Sequence, residues 1–308
     1  MQSGCSKCGK PALYLRRYTA EKLCGSCLVE TTLDRVHRKI NRQKMFDEED
    51  RIAVAISGGK DSAVLLDVLH KIESNFPKSE IIPVTIDEGI LGYRDKALEA
   101  AKTLTSSLGL SLEILSFKDM IGHSLDEIVE RRGEGALGAC SYCGVFRRRA
   151  LNIAAQKLDA DVIATGHNLD DEAQTVLMNI LRGDSRRIAR TNVPRSRSIE
   201  GLVPRVKPLS EISERDIVAY SHQLALIYHD APCPYAGEAY RNDLRQFLNE
   251  MEHKRPGTLL AVLHSAEVMT TAFLDSSSTW KLMTCERCNM PSPTRVCKAC
   301  IMLEELEG

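Results

Sequence analysis

Ile52-Ala53-Val54-Ala55-Ile56 runs directly into Ser57-Gly58-Gly59-Lys60-Asp61-Ser62, and Val64, Leu65, Val68, Leu69 and Ile72 follow at helical spacing. An uninterrupted apolar run suits a parallel strand covered on both faces. The period that follows suits the helix that crosses back over it. Between the two, a pair of glycines lets the chain turn sharply and approach a ligand without Cβ interference. Their N–H groups, with those of the helix N-terminus, would cradle anionic oxygens. Ser57 and Ser62 can add hydroxyl donors, and Lys60 a point charge for phosphate. The spacing G-x-x-x-x-G-K-[ST] is absent, so this is not a Walker loop. A plain turn capped by Asp61 or Ser62 is the structural alternative.

Working outward, Ile81 to Ile86, Leu112 to Leu115, and Val162-Ile163-Ala164 read as further buried strands. Helical patterns separate or follow them: Ala97, Ala101, Leu104 and Leu108, then 145–158, 171–181, 214–224, 240–251 and 258–271. The alternation predicts a doubly wound parallel α/β sheet with right-handed crossovers, its strand order unread. Ligands of such sheets bind at the carboxyl ends of the strands. Thr85-Ile86-Asp87 and Thr165-Gly166-His167-Asn168 end two of them, with Asp170-Asp171-Glu172 at a helix start. Gly166 would permit close approach to an adenosine. Asp171 could bind Mg²⁺ or act as a general base, and capping its own helix is the plain alternative. A hydrogen-bonded structural role is at least as good a reading of His167.

The chain of 308 residues is 43% hydrophobic and 27% charged, with a formal net charge of −1. No segment approaches the roughly 18–20 apolar residues that span a bilayer. The first residues lack the apolar core of a secretory signal, so a cytoplasmic protein with no membrane role is expected. Its 11 cysteines fall into three groups. Cys5, Cys8, Cys24 and Cys27 form one quartet, and Cys285, Cys288, Cys297 and Cys300 another. Paired C-x-x-C knuckles of this kind suit closed, four-thiolate structural zinc sites. The expected organisation is a zinc finger at 1–32, a charged helical linker at 33–50, a catalytic domain at 51–275 and a second zinc finger at 276–308.

Cys140, Cys143 and Cys233 are left over. Three thiolates could hold three irons of a 4Fe-4S cluster and leave the fourth open to an external ligand. His229 could instead complete a Cys₃His zinc site. A metal-free pair such as Cys140 and Cys233 could also carry a persulfide and resolve it as a disulfide. Spacing does not separate these readings.

Arg182, Arg186, Arg187, Arg190, Arg195, Arg197, Arg205 and Lys207 are opposed only by Asp184 and Glu200. That stretch reads as a loop suited to a phosphate backbone, with Arg147-Arg148-Arg149 adding charge nearby. A solvated face is the plain reading of such a run.

Ser57 to Ser62 matches SGGxDS, the PP-loop of ATP pyrophosphatases, which release pyrophosphate and transfer AMP to an oxygen. Together with Cys140-Ser141-Tyr142-Cys143-Gly144, the stretch Thr165 to Thr175, Pro232-Cys233-Pro234-Tyr235 and both quartets, it resembles the cytoplasmic tRNA 2-thiolation family. Within it the likeness is to the TtuA/NcsA group of tRNA 2-thiouridine synthetases, in order along essentially the whole chain. The resemblance implies a HUP-like PP-loop fold flanked by two zinc fingers. It also implies a 4Fe-4S cluster on Cys140, Cys143 and Cys233, and two structural Zn²⁺. The implied site for ATP with Mg²⁺ comprises Ala55, Ser57, Gly58, Gly59, Lys60, Asp61, Ser62, Ile86, Arg147 and Gly166. Lys60, Asp171, Cys140 and Cys233 are the expected catalytic residues. Some members appear with lysine at the Arg147 position, so a bidentate contact replaces a point charge here. The implied partners are tRNA, a sulfur donor (free sulfide or a thiocarboxylated ubiquitin-like carrier) and a second copy in a homodimer. The implied reaction is adenylation of a uridine 2-oxygen, the wobble position favoured over the T-loop, then replacement of that oxygen by sulfur. A tRNA 2-thiocytidine synthetase, another PP-loop enzyme, and a non-enzymatic zinc-finger RNA-binding protein are the rivals.

Overall fold

The computed structural model describes residues 4–133, 137–188, 195, 199–238, 241–276 and 283–307. At the N-terminus β1 (Tyr14–Arg16) and β2 (Glu21–Leu23) pair antiparallel, and α1 (Gly25–Gln43) follows. The central sheet begins with β3 (Arg51–Ala55), crosses through α2 (Lys60–Glu73) to β4 (Glu80–Asp87), and through α3 (Arg94–Ser107) to β5 (Glu113–Ser116). Two short helices, α4 (Phe117–Ile121) and α5 (Leu125–Arg131), precede the long α6 (Ala139–Lys157) and strand β6 (Val162–Ala164). Then come α7 (Leu169–Leu181), α8 (Ser185–Ile188) and β7 (Arg205–Val206). Three helices follow: α9 (Glu214–Gln223), α10 (Arg241–Lys254) and α11 (Thr258–Ser276). The C-terminal module is β8 (Met283–Thr284), β9 (Pro291–Ser292) and α12 (Lys298–Glu307).

The central sheet has the order β5-β4-β3-β6-β7 and is parallel throughout. The four strands expected from apolar runs are all present. The fifth, β7, is two residues long and lies inside the basic stretch read as a loop, which is corrected there. Ile163 N–H donates to Pro204 O (2.8 Å) and Thr165 N–H to Val206 O (3.0 Å), so this stretch satisfies the free edge of β6. Arg195 is ion-paired with Asp50, and Lys207 Nζ sits 2.7 Å from Glu172, so two of the eight basic residues serve the fold. Arg190 and Arg197 lie outside the described residues.

Alternation along β3 gives the sheet two cores. Ile52 and Val54 face Val64, Leu65, Val68 and Leu69 of α2, with Ile217 and Tyr220 of α9 and Val36 and Ile40 of α1 behind them. Ala53 and Ile163 face Phe117, Phe146, Ala150 and Ala154, joined by Met302 and Leu306 of α12. The N-terminal module is therefore anchored to one face and the C-terminal module to the other. The linker helix expected from Leu33 starts earlier, at Gly25, because Cys27 lies in its first turn. Among the described residues no helix is long and apolar enough to cross a membrane.

Candidate active site

The strand order reverses direction at β3, whose neighbours are β4 and β6, and the crevice beyond this switch point is where such sheets take ligands. The Ser57–Ser62 loop sits there. Gly58 has φ +87°, and a Cβ would lie 2.2 Å from the Ala97 carbonyl oxygen, so only glycine fits. Gly59 caps α2 in extended conformation. The two serines brace the turn: Ser62 Oγ donates to Gly59 O (2.8 Å), accepts from Ser57 N–H (3.1 Å) and lies 3.1 Å from Ser57 Oγ. Lys60 Nζ is 2.8 Å from Glu214 and 3.0 Å from Asp61. Burial pulls its ammonium down, but those two carboxylates hold it above the usual lysine range.

Asn168 Nδ2 donates to Asp61 Oδ1 (2.8 Å), tying the end of β6 to the loop. Gly166 serves the same approach, since an added Cβ would come within 3.1 Å of the Asp61 and Ser62 backbone. Asp171 caps α7 in a reciprocal box with Asn168 and accepts from Arg241 Nη1 (3.1 Å). Burial raises its carboxyl above the ordinary range. Asp61, Asp171 and Glu214 thus bring carboxylate to one place beside Lys60, Arg241 and Arg245, a donor set suited to Mg²⁺ alongside phosphate. Ala55 is half-buried at the end of β3, and Ile86 is buried near the end of β4. His167 Nδ1 is 3.0 Å from Thr165 Oγ1, in keeping with the hydrogen-bonded reading.

The cysteines divide sharply. In each terminal quartet all four sulfurs lie within 4.8 Å of one another. Cys8 and Cys24 are 3.6 Å apart, Cys285 and Cys300 3.9 Å, and Cys288 and Cys297 3.7 Å. A tetrahedral ion at about 2.3 Å from each sulfur would set edges of about 3.8 Å, so both quartets have the dimensions of a zinc site. The Ser26 hydroxyl and the Cys27 backbone N–H pull the Cys24 thiol down to about 6, toward the thiolate that an ion takes.

Cys140 and Cys143 lie on the first turns of α6, and Cys233 on the turn before Pro234. Cys143 feels both other thiols; burial, then Glu88 and these neighbours, push it up to about 11 against the pull of Arg147. The trio is nonetheless not drawn into a group as tight as the quartets among the described residues. A four-iron cluster spreads its cysteine sulfurs wider than a single ion does, so three thiols with no fourth donor gathered to them among the described residues fit that group. His229 is not gathered with them. Its backbone N–H donates to Gly58 O (2.8 Å), its ring stands 5.5 Å from that of Tyr93, and its Nε2 is buried without a partner.

Arg147 joins the two halves of the site. Its Nη2 donates to Cys143 Sγ (3.1 Å) and its Nε to Glu88 Oε1 (2.8 Å). Glu88 Oε2 lies 3.1 Å from Arg94 Nε, and Arg94 donates from its other nitrogens to Ser57 O and Thr85 Oγ1. Glu88, Arg94, Glu214 and Arg241 escaped the sequence reading. The positions of Glu88 and Arg94, just past and two turns beyond a strand end, were the available signal. Arg148 and Arg205 are exposed; partial desolvation and then neighbouring arginines, Arg187 for Arg148 and Arg148 for Arg205, lower their pKa from the ordinary arginine value, and both stay charged.

The PP-loop domain family matches residues 32–252, and a zinc-ribbon family matches residues 283–308. A curated relative from Drosophila willistoni, cytoplasmic tRNA 2-thiolation protein 1, is 41% identical over 302 residues, covering 98% of this chain and 87% of its own length. Its Drosophila melanogaster counterpart is 40% identical over the same share of both chains. Among solved structures, the U34-tRNA thiolase NcsA from Methanococcus maripaludis with its [4Fe-4S] cluster superposes with a TM-score of 0.85. It is 32% identical, and the match covers 99% of this chain and 97% of that one.

Proposed function

The chain belongs to the PP-loop family, among the cytoplasmic tRNA 2-thiolation proteins, and we propose from this premise that it is an ATP-dependent tRNA sulfurtransferase acting on uridine. The observation that carries the reading is the chain of contacts from Cys143 through Arg147, Glu88 and Arg94 to Ser57 of the phosphate loop. The likeness to a thiolase of U34 in tRNA supports the wobble uridine over the T-loop and over cytidine.

ATP would lay its phosphates on the N–H groups of Ser57 to Ser62, with Lys60 exchanging Glu214 and Asp61 for phosphate oxygen. Ala55, Ile86, Arg147 and Gly166 would border the nucleotide. Asp171, freed from Arg241, would hold Mg²⁺ or take a proton. The uridine 2-oxygen attacks the α-phosphorus, and the bond to pyrophosphate breaks. Adenylation is needed because oxide is a very poor leaving group. Hydrosulfide then adds at C2, and the C2–O bond breaks to expel AMP. Cys140, Cys143 and Cys233 would hold a 4Fe-4S cluster, which when bound supplies an iron free to carry sulfide. The terminal quartets would hold two structural zinc ions. Arg148, Arg187 and Arg205 would meet the tRNA backbone. Sulfide, free or released from a thiocarboxylated carrier, is the donor, and the working form is a homodimer.

Nucleosides from a deletion strain complemented with Lys60→Ala or Asp171→Ala should lack 2-thiouridine, while the purified variants keep their zinc. Wild-type 2-thiouridine in either strain would refute the reading.

A further inference from the structure

Glu88 stands immediately beyond β4, is 4% exposed, and holds one arginine on each carboxylate oxygen. Its backbone is fixed as well, because Leu125 N–H donates to Glu88 O (2.7 Å). One of its arginines, Arg94, grips the carbonyl of Ser57, the first residue of the phosphate loop. The other, Arg147, donates to the sulfur of Cys143. Arg94 is buried, whereas the Arg147 side chain is 46% exposed and has room to move.

We infer that Glu88 is a positioning residue that couples nucleotide binding on the phosphate loop to occupancy of the cysteine site. A buried carboxylate shared by two guanidiniums cannot follow one without releasing the other, and removing its charge leaves the buried Arg94 cation without its counter-ion. Phosphate drawing on Arg147, or an occupant drawing on Cys143, changes the same ion triad. Whatever one ligand gains or loses through that triad, the other must gain or lose equally.

This rests on the ATP and cysteine sites of the proposed function but needs no tRNA and no turnover to test. The affinity of a non-hydrolysable ATP analogue is measured on anaerobic protein without and with a reconstituted 4Fe-4S cluster. This is done for wild type, Glu88→Gln and Arg94→Lys, with iron and zinc counted each time. Wild type should show a change in Kd on the order of tenfold on cluster loading. Both variants should bring that ratio close to one while iron per chain stays at the wild-type value. Arg94→Lys keeps the charge beside Glu88 but loses the forked grip on Ser57 and Thr85, so it serves even if Glu88→Gln fails to fold. A merely structural role would lower the melting temperature and leave the ratio intact. A wild-type ratio of one, or an undiminished ratio in the folded variants, overturns the inference. A chain that thiolates no uridine yet loses its coupling in Glu88→Gln would break the functional reading and leave this one standing.

Discussion

In the C-terminal ribbon Cys285 and Cys300 stand 3.9 Å apart within a quartet of thiols, with the backbone N–H of Cys297 and the Arg149 guanidinium of α6 against two of the sulfurs. In the centre Cys143 meets a guanidinium at 3.1 Å, and Cys140 lies 3.6 Å from the Tyr235 carbonyl oxygen. The first arrangement gathers four thiols to the dimensions of one ion. The second is held by Arg147, which Glu88 and Arg94 link in turn to Ser57 of the phosphate loop. Closure is what a structural metal requires, and an open, externally held set is what a site exchanging ligands requires. One chain thus uses the same side chain for two purposes, and the surroundings separate them.

The contrast breaks most visibly at the cysteines themselves. Cys233→Ser should cost at least about 10²-fold in thiolation. It should remove iron, leave two zincs per chain by elemental analysis, and hardly alter the melting temperature. Cys285→Ser should do the reverse in kind: one zinc is lost and stability falls. Because Met302 and Leu306 pack α12 on the sheet, loss of the ribbon should cost about 2–5 kcal/mol by denaturant unfolding. If Cys233→Ser lost zinc and stability in the manner of Cys285→Ser, the centre would be a third closed site.

Arg149 ties the two cysteine regions together, since its guanidinium donates to Cys300 Sγ at 3.7 Å from the helix that carries Cys140 and Cys143. The loop shows the other side of the contrast. Gly58 holds φ +87° with Ala97 O in the path of any Cβ, whereas Gly9 of the N-terminal module, at φ +77°, has open space there. Gly58→Ala should destabilise by about 1–3 kcal/mol and weaken ATP analogue binding more than it weakens the fold. Calorimetry on one sample measures both, and unchanged nucleotide affinity would detach the loop from the site.

Both quartets were legible because a zinc knuckle is a local object whose ligands keep fixed spacing. So were β3, β4 and β6, whose buried residues write themselves as apolar runs, while the edge strand β5 shows the run but stays partly exposed, Ile114 included. The strand order was not, because β3 pairs with β6 only after β5, α4, α5 and α6 have intervened. Strand β7 has no pattern of its own and exists because Ile163 and Thr165 need backbone partners. The charged part of the site was hidden for a related reason. Lys60, Asp171 and Arg147 stand in motifs, but Glu214, Arg241, Glu88 and Arg94 meet them only through the fold and look like ordinary surface charges in the sequence. Cys233 could be grouped with Cys140 and Cys143 by arithmetic alone, but that Arg147 and Glu88 link them to the loop required the topology.

The smallest effect separates the crevice from the modules by pH. Asp170 is 9% exposed, and burial, then the charges of Glu214 and Asp171, push its carboxyl up to about 6, although the Glu214 N–H donates to it at 2.8 Å. A carboxyl raised on folding binds its proton more tightly in the native state than in the unfolded chain. Its contribution is therefore whole below the unfolded value near 3.9 and is lost as pH rises through about 6. At neutral pH the ionised group costs the fold, by at most about 3 kcal/mol. Asp170→Asn keeps an acceptor for the Glu214 N–H and removes the charge. Urea unfolding between pH 4 and 7 should show the variant equal to or more stable than wild type at pH 7, the difference shrinking on acidification. A variant less stable at pH 7 would mean that the ionised carboxylate is wanted there, held by Lys60 and Arg245 across the crevice, and the site would then be balanced in charge before any ligand arrives.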